Sequence, residues 1–382
     1  MHRSLATFPA VCIIVVVLAL AGCGGDAGQT DTSGGGGSGG GSSAEVEPRP
    51  PAPEDDADAV AAVTAITEKV RRDGDGLIVE VDYRGQTIDD AALEPLAKLT
   101  RLRSLLLAGT AVTDASMESV AKLANLQNLD LRECKITNQG IAHLVGLTKL
   151  RALRLSGKGG ASSGVDDSCM EHVAKLTELR VLAVDFLWVS EQGLEKIKDL
   201  DELTELYMAN TTIGNDALQL MSEFPKLRKL RIAGNNITAE GMAHLPKLTT
   251  VEELDLSEVQ LFDDAMAPIG EMAQLKKLNL WRVPITDTGV ESLAGLANLE
   301  WLNLDNTRLS DAGLVHLKGM KKLKYLHLGS TLVTDAGLPQ LSGLTALEEL
   351  KVTRTAVTEE GVKKLAETLV DTEIQLRYIE GQ

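Results

Sequence analysis

The chain has 382 residues, of which 44% are hydrophobic and only 3% aromatic, and its formal net charge at pH 7 is -17. Binding to duplex DNA or another polyanion depends on clustered cations that release counterions, so this excess of carboxylates argues against such ligands. It favours basic or neutral partners, although the same acidity also keeps a protein soluble whatever it binds.

The first 22 residues have the pattern of an export signal. Val11–Leu20 is an apolar run of ten residues, which is too short to cross a bilayer as a helix. Leu20–Cys23, Leu-Ala-Gly-Cys, resembles the lipobox at which bacterial lipoproteins are cleaved and acylated on the cysteine sulfur. The resemblance predicts a mature N-terminus at Cys23, anchored in the membrane by several acyl chains; an ordinary leader with a chance cysteine is the alternative. Gly24 follows instead of aspartate, which by resemblance to enterobacterial sorting favours the outer membrane, on its periplasmic or surface face.

Residues 23–55 are predicted to be a linker and residues 56–74 a capping helix. The linker contains Gly34–Gly41, GGGGSGGG, and Glu47–Glu54, EPRPPAPE, compositions that favour a flexible segment followed by a stiffer, extended one. In the predicted helix, apolar residues recur on one stripe: Val60, Val63, Ile66 and Val70. We predict that this helix covers the first open core layer of the repeats that follow; a partner-binding amphipathic helix is the alternative.

Residues 75–367 are built from a unit of 24 residues, which Met320–Gly343 shows most clearly. Leu326 and Leu328 alternate with their neighbours as in a short strand with one buried face. Leu338 and Leu341 are three residues apart, as on one side of a helix, and a Thr-Asp pair before them is a helix start signal. A unit of strand, turn and short helix cannot bury its apolar edge alone, so it must stack on copies of itself.

The copies recur along the chain at a nearly constant period. Their leucine-type first residues are Leu99, Leu123, Leu147, Leu176, Leu200, Phe224, Leu248, Met272, Leu296, Met320 and Leu344. Every step is 24 residues except one of 29, whose five extra residues lie in Ser156–Gly164. With Asp75–Lys98 as a degenerate first unit, the chain contains about twelve repeats. Residues 368–382 are predicted to form a C-terminal cap, with a last strand that closes the far end.

The repeat LxxLxxLxLxxTxVTDxGLxxL resembles the leucine-rich repeat. It is similar to the cysteine-containing form known from F-box substrate receptors, and closer still to the form common in bacterial, planctomycete-like surface proteins. The resemblance covers residues 75 to about 376. It implies a right-handed α/β solenoid, or horseshoe, with a parallel sheet on the concave face and short helices on the convex face. The ubiquitin-ligase function of F-box proteins is not expected, because an exported lipoprotein does not meet a ubiquitin ligase.

Strand residues that alternate with the buried leucines face solvent, and equal positions on neighbouring strands stack into columns about 4.8 Å apart. One neighbourhood on three successive strands contains the main candidate binding residues: Asn279, Trp281, Trp301, Asn303, Asp305, Tyr325 and His327. A weaker group contains Tyr207, Arg231 and Asp255. Exposed Trp and Tyr beside hydrogen-bonding groups are suited to anchor a protein partner or a sugar ring. Cross-strand aromatic packing without a ligand is the alternative.

Acidic residues recur where the predicted helices begin, at Asp114, Glu191, Asp263, Asp287, Asp311, Asp335 and Glu359. We interpret them as caps of their own helices rather than as calcium ligands. Histidines recur in one repeated slot, at His143, His172, His244 and His316. Only two of them lie on neighbouring turns, which does not make a zinc site, so no metal is expected. Cys134 and Cys169 occupy slots that are predicted to be buried on different sides of the coil, which argues against a disulfide.

No sequence motif in the chain fits catalysis. There is no HExxH sequence, and no set of nucleophile, base and orienting residue. An open sheet is also a poor place to shift a carboxylate pKa by burial. We therefore expect a lipid-anchored protein that is not an enzyme, needs no cofactor and binds a protein partner on its concave sheet. The alternatives are a carbohydrate or cell-envelope polymer as ligand, and a structural spacer or adhesin without a specific ligand.

Overall fold

The computed structural model describes residues 54–160 and 164–377. The predicted signal peptide, the predicted lipidation site Cys23 and nearly all of the linker lie outside the described residues. The end of the predicted last strand, from residue 378, also lies outside them. Within the described residues, each repeat contributes one strand to a single sheet.

Fourteen strands in the described residues form this sheet, and their order in space is their order in sequence. They are β1 Val70–Arg72, β2 Ile78–Asp82, β3 Ser104–Leu106, β4 Asn128–Asp130, β5 Ala152–Ser156, β6 Val181–Asp185, β7 Glu205–Tyr207, β8 Lys229–Arg231, β9 Glu253–Asp255, β10 Lys277–Asn279, β11 Trp301–Asn303, β12 Tyr325–His327, β13 Glu349–Lys351 and β14 Glu373–Gln375. From β2 onward neighbouring strands are parallel, and central leucines pair at the repeat period, as Leu278 does with Leu302. Across the one longer step Leu153 still pairs with Leu182, so the extra residues are accommodated in the loop after β5.

Short helical segments return the chain from one strand to the next. The α-helices are α1 Ala57–Ile66, α2 Met117–Val120, α3 Asn138–His143, α4 Met170–Val173, α5 Glu191–Lys196, α6 Asp216–Met221, α7 Ala239–Met242, α8 Ala267–Gly270, α9 Asp287–Ser292 and α10 Glu359–Ala366. The 3-10 segments are Asp90–Lys98, Asp114–Ser116, Leu144–Gly146, Lys158–Gly160, Asp167–Cys169, Leu245–Lys247, Asp263–Ala265, Gly313–Gly319 and Leu338–Leu341. The core lies between the sheet and these segments, and its central leucines are fully buried, as in Leu278, Leu302 and Leu326 at 0% exposure each. Burying one such side chain contributes about 1.5–3 kcal/mol, so the repeated leucines are the main source of stability.

The row of acidic residues links successive repeats, and we call it the aspartate ladder. Asp287 accepts hydrogen bonds from the backbone N–H of Ser310 at 2.7 Å and from its hydroxyl at 2.5 Å. The same two bonds join Asp90 to Thr113, Asp114 to Thr137, Asp167 to Ser190, Asp263 to Thr286, Asp311 to Thr334 and Asp335 to Thr358. The prediction that these aspartates cap their own helices is wrong. In four of these repeats the hydroxyl residue just before the aspartate takes that role, as when Thr286 accepts from the N–H of Thr288 at 3.3 Å. Asp89 and Asp166 take it before Asp90 and Asp167.

The N-terminal end differs from the predicted capping helix over 56–74. α1 ends at Ile66, and its Val63 is 1% exposed against the first core layer. Thr67 leaves the helix in an extended conformation and donates its hydroxyl to the carbonyl of Asp82 at 3.0 Å. β1 then pairs antiparallel with β2, with a bulge between its two arginines. A strand is favoured over more helix here because the backbone groups on the outer edge of β2 need hydrogen-bond partners.

The far end is closed by a strand and a helix. β14 pairs parallel with β13, and Ile374 and Leu376 are half-buried against the core. Leu365 in α10 is 4% exposed and Leu369 after it is 3% exposed. These four apolar side chains therefore cover the last core layer.

Candidate binding surface on the sheet

Three rings lie in contact on the side of the sheet opposite the buried leucines, which we call the open sheet face. Trp301 on β11 stacks on Tyr325 on β12, with ring centroids 4.9 Å apart and planes 4° apart. His327 meets the Tyr325 ring edge-on, with centroids 6.4 Å apart. Trp301 and Tyr325 are paired residues of adjacent parallel strands, so the rings stack at the strand spacing. The fold thus brings together three residues of the main predicted group.

Trp281 and the two asparagines play different parts. Trp281 lies two residues beyond β10, and the guanidinium carbon of Arg282 is 5.2 Å from the centroid of its ring. Asn279 accepts a hydrogen bond from the N–H of Trp281 at 3.2 Å, and Asn303 accepts one from the N–H of Asp305 at 2.9 Å. The asparagine side chains fix the turns at the ends of two strands. They shape the surface, because their carbonyl oxygens are already engaged.

The second predicted group is held together by ion pairs and one phenol hydrogen bond. Arg231 lies between Asp185 and Asp255, at 3.5 Å and 3.7 Å. Burial raises the pKa of Asp185, against the opposing attraction of Arg231. Tyr207 donates its hydroxyl to Glu205 at 2.7 Å. Within the described residues the buried Nε of Arg231 has no hydrogen-bond acceptor, so the guanidinium keeps one donor available.

A pocket of about 290 Å³ joins the two predicted groups into one surface. Residues of β7 to β11 line it, among them Tyr207, Arg231, Asp255 and Trp301. Trp301 therefore stacks on Tyr325 of β12 and borders the pocket from the other side. The sequence suggested two separate patches, whereas the structure places them at opposite ends of one concavity.

Three charged residues line the same pocket and were missed by the sequence reasoning. The carboxylate of Glu253 lies 3.2 Å from the ammonium nitrogen of Lys277 and 3.8 Å from that of Lys229. The alternation of charge along this column of strand positions was the available signal. Because each ammonium group faces a carboxylate, the pocket offers both signs of charge without a large net charge.

His327 lies beside Asp305 at the other edge of the aromatic stack. Burial, more than the nearby charge of Lys351, lowers the pKa of His327, and Asp305 opposes that shift. The imidazole is therefore neutral at pH 7 and one ring nitrogen can accept a hydrogen bond.

Towards the N-terminal end, the open sheet face is occupied by internal ion pairs. Asp130 is 2% exposed and accepts hydrogen bonds from Nε and Nη2 of Arg132 at 2.8 Å and 2.6 Å. Asp82 and Arg84 form the same bidentate pair at 2.9 Å and 2.8 Å. These carboxylates and guanidinium groups satisfy each other, so the candidate binding surface is the region from β7 to β12.

Within residues 54–160 and 164–377, no group of three His, Cys, Asp or Glu side chains is placed to hold a metal ion. Cys134 and Cys169 are buried and no disulfide joins them. None of the helices in these ranges is long and apolar enough to span a membrane.

Comparison with known proteins agrees with the fold. Two models of the leucine rich repeat family match this chain, one at residues 273–333 and the other at 122–145 and 225–245. The crystal structure of internalin InlF from Listeria monocytogenes is similar with a TM-score of 0.58 and 20% identity, over 86% of this chain and 96% of that one. Internalin C2 from the same species gives 0.42 and 21%, over 55% and 83%, and PEPR1–AtPEP1 gives 0.43 and 16%, over 81% and 49%. A sequence search of curated proteins finds no match.

One strand per 24-residue repeat, parallel order and short helical returns define an open α/β solenoid. This is the fold of a leucine-rich-repeat solenoid, and models of that family match parts of the chain. The likeness to InlF is a likeness of fold. Neither the family models nor the InlF structure indicates a catalytic family, and leucine-rich-repeat proteins are generally binding scaffolds.

Proposed function

We propose that this leucine-rich-repeat protein binds a protein partner on its open sheet face, over the surface from Tyr207 on β7 to His327 on β12. The observation that carries the proposal is the Trp301–Tyr325 stack beside the pocket. Both rings are only half-buried, and the core on the other side of the sheet is already filled by leucines. The leucine-rich-repeat scaffold is typical of protein–protein interaction, which supports the proposal.

A stacked Trp–Tyr pair is suited to be the energetic centre of such an interface. Few interface residues carry most of the binding free energy, and Trp, Tyr and Arg are enriched among them. The contact with Tyr325 orients Trp301 before a partner arrives, so little side-chain entropy is lost on binding. The pocket next to Trp301 can take a partner side chain, and the ion pairs around Glu253 and Arg231 form a polar surround.

The test compares the full-length wild type with a Trp301→Ala/Tyr325→Ala variant as bait in a pull-down from solubilised cell envelope. Trp188→Ala is the matched control, because its indole is 64% exposed and lies outside the proposed surface. We expect one protein to be retained by the wild type and the control and lost by the double variant. With that protein purified, each substitution in the stack should weaken binding by about 2 kcal/mol, roughly thirtyfold in Kd.

The outcomes separate the alternatives. Equal capture by all three proteins, with equal thermal stability, would contradict the proposed surface. Retention of an envelope glycan without any protein, and its loss in the double variant, would favour the carbohydrate alternative, because a sugar ring can stack on the same side chains. No capture by any of the proteins would favour a spacer without a specific ligand.

We further propose that the protein is exported and lipid-anchored at Cys23, with the outer membrane favoured. The support is the Leu20–Cys23 sequence and the glycine that follows it. Residues 24–55, a linker of 32 residues, would reach about 30 Å as a flexible coil and hold the repeats clear of the bilayer. Cys23→Ser should move the protein from the membrane to the soluble fraction, whereas the control Cys169→Ser should not. A Cys23→Ser protein that stays in the membrane fraction would contradict the anchor.

A further inference from the structure

A row of arginines lies along one edge of the sheet, where the strands begin. Arg103, Arg151 and Arg180 immediately precede β3, β5 and β6. The N–H of Arg151 donates to the carbonyl of Gln127, and the N–H of Arg180 donates to the carbonyl of Arg151, each at 2.8 Å. At about 4.8 Å per strand, the three arginines therefore span about 15 Å of this edge. We call this stretch the arginine edge.

The arginine edge is locally cationic although the chain as a whole is acidic, with 55 Asp and Glu residues against 38 Lys and Arg residues. Residues 98–104, 122–128, 146–152 and 175–181 lead into β3 to β6, and the one carboxylate side chain among them is that of Glu178. Their cations are Lys98, Arg101, Arg103, Lys122, Lys149, Arg151, Lys175 and Arg180. The net charge therefore conceals a cluster of cations that the fold assembles on one surface.

The three arginines of this edge have no counter-charge in contact. Their side chains are exposed and form no hydrogen bond or ion pair within residues 54–160 and 164–377. At the other end of the same edge the charges are matched, because Lys276 lies 2.9 Å from Glu252 and Lys324 lies 2.8 Å from Glu300. Guanidinium groups bind phosphate or carboxylate through two parallel hydrogen bonds, so a row of open arginines points to an anionic ligand.

The predicted linker joins the folded chain at this same edge. Asp55 accepts a hydrogen bond at 2.7 Å from the N–H of Ile78, the first residue of β2. Asp56 pairs with Lys98 at 3.3 Å. The N–H of Arg103 donates to the carbonyl of Val79 on β2 at 2.9 Å, so the point of attachment and the arginine edge are neighbours.

We propose that the arginine edge binds the phosphate groups of anionic lipids in the membrane that carries the anchor. This inference rests on the proposed lipid anchor and names the contact that orients the anchored solenoid. A linker reach of about 30 Å keeps the edge close to the headgroups, which makes the contact effectively intramolecular. An anionic surface attracts each nearby Lys or Arg, and at 0.1 M salt carboxylates more than about 10 Å away are largely screened.

The contact leaves the proposed binding surface free. With the beginnings of the strands on the membrane, the open sheet face from β7 to β12 is accessible from the side. The contact is weak without the tether, so the expected release of Cys23→Ser into the soluble fraction still holds. An acidic segment of a protein is the other ligand with suitable charge, and the attachment of the linker at this edge favours the membrane.

The experiment measures how fast a water-soluble acetylating reagent modifies single lysines of the full-length protein attached to vesicles, with mass spectrometry as the readout. Vesicles of phosphatidylcholine are compared with vesicles that also contain phosphatidylglycerol. Lys122 and Lys149, both exposed, report on the arginine edge, and the exposed Lys135, which follows the other end of β4, is the internal control. We expect phosphatidylglycerol to slow acetylation of the two reporters at least threefold and to leave Lys135 unchanged.

Two triple variants test which cations are responsible. Arg103→Gln/Arg151→Gln/Arg180→Gln should abolish the protection of Lys122 and Lys149. The matched control, Lys226→Gln/Lys276→Gln/Lys324→Gln, removes the same charge from the same edge, but each of its lysines is paired with a carboxylate, so protection should persist. Equal rates on both kinds of vesicle, protection that survives the arginine substitutions, or equal protection of Lys135 would overturn the proposal. Protection by a hexaglutamate peptide in solution, with none on phosphatidylglycerol, would also overturn it and would assign the edge to an acidic protein segment.

The attachment is arranged so that the anchor and the edge fail separately. The protein is attached through its own acyl chains or, if it carries none, through a maleimide lipid that couples to Cys12 or Cys23, which both precede the linker. An unacylated residue 23 with protection in the maleimide-coupled protein would refute the anchor and keep the edge. An acylated Cys23 without protection would keep the anchor and refute the edge.

Discussion

Removing one carboxylate from the aspartate ladder tests whether the ladder holds neighbouring repeats together. Asp311 accepts hydrogen bonds from both the backbone N–H and the hydroxyl of Thr334, each at 2.7 Å. The same hydroxyl accepts from the N–H of Ala336 at 3.2 Å, at the start of the next helical turn. Asp311→Ala therefore removes two bonds between repeats and loosens the cap of the following segment.

The expected magnitude follows from the number and kind of bonds lost. A hydrogen bond to a charged group contributes about 1.5–3 kcal/mol, and solvent replaces part of it because Thr334 is half-buried. We expect Asp311→Ala to lower the free energy of unfolding by about 2–4 kcal/mol. Asp311→Asn should cost about 1 kcal/mol or less. Asn215 already fills this position in another repeat, where it accepts from the N–H of Thr238 at 2.9 Å and donates to its hydroxyl at 3.0 Å.

Gly337 gives the experiment a second arm. A Cβ atom on Gly337 would lie 2.4 Å from Asp311 Oδ1, so Gly337→Ala must displace that carboxylate. In the Asp311→Ala background the contact with the carboxylate is absent, and the shorter-than-normal contact with the end of the Leu314 side chain, at 2.8 Å, remains. The two substitutions should therefore be less than additive, with a coupling of about 1–2 kcal/mol in a double-mutant cycle.

The assay is urea unfolding followed by circular dichroism, with the denaturant slope compared between variants to check that the cooperative unit is unchanged. Glu118→Ala is the control, because it removes an exposed carboxylate outside the ladder and should stay within about 0.5 kcal/mol of wild type. If Asp311→Ala unfolds like this control, the ladder contributes no measurable stability. If the costs of Asp311→Ala and Gly337→Ala simply add, the packing of the carboxylate against the glycine is not the reason for the glycine.

Three further predictions concern buried polar groups. Asp130→Ala leaves the guanidinium of Arg132 without its bidentate partner. Because that guanidinium is partly exposed, we expect the free energy of unfolding in urea to fall by about 2–3 kcal/mol. A decrease of less than about 1 kcal/mol would contradict the pairing. Burial raises the pKa of the Cys169 thiol to about 12. At pH 8 this thiol should therefore react with a disulfide reagent only as fast as the protein unfolds. Rapid reaction of the folded protein would show that Cys169 is accessible to the reagent. Burial lowers the pKa of His327 below its ordinary 6.5, so His327 binds a proton more readily in the unfolded chain than in the folded protein. The free energy of unfolding should therefore fall as the pH drops below 6.5. His327→Gln should lack this part of the pH dependence, and identical pH profiles for the variant and the wild type would refute the prediction.

The repeat period was enough to predict the register of the sheet. A fixed step of 24 residues with two alternating leucines leaves only one way to place each strand beside the next. Trp301 and Tyr325 were therefore predicted to lie on neighbouring strands from their positions in the repeat, and the two residues are paired across β11 and β12. Leu153 and Leu182 stay paired across the long step, because a surface loop tolerates insertions that a strand does not.

The direction of the side-chain hydrogen bonds could not be predicted in the same way. Thr334 and Asp335 are adjacent, and either can cap a helix, so a single repeat does not say which of them does. The choice is made by the preceding repeat, whose Asp311 binds Thr334 from 23 residues away.

The hairpin formed by β1 and β2 decides what can join the solenoid at its N-terminal end. Each strand from β3 onward pairs parallel with the strand before it. The last strand of a second molecule would therefore need a parallel edge to continue the sheet. β1 offers an antiparallel edge of three residues, interrupted by a bulge between Arg71 and Arg72, two exposed cations. Charge, a bulge and short length are the means by which sheets avoid pairing with foreign edges. Head-to-tail pairing of a second molecule is therefore disfavoured at this edge.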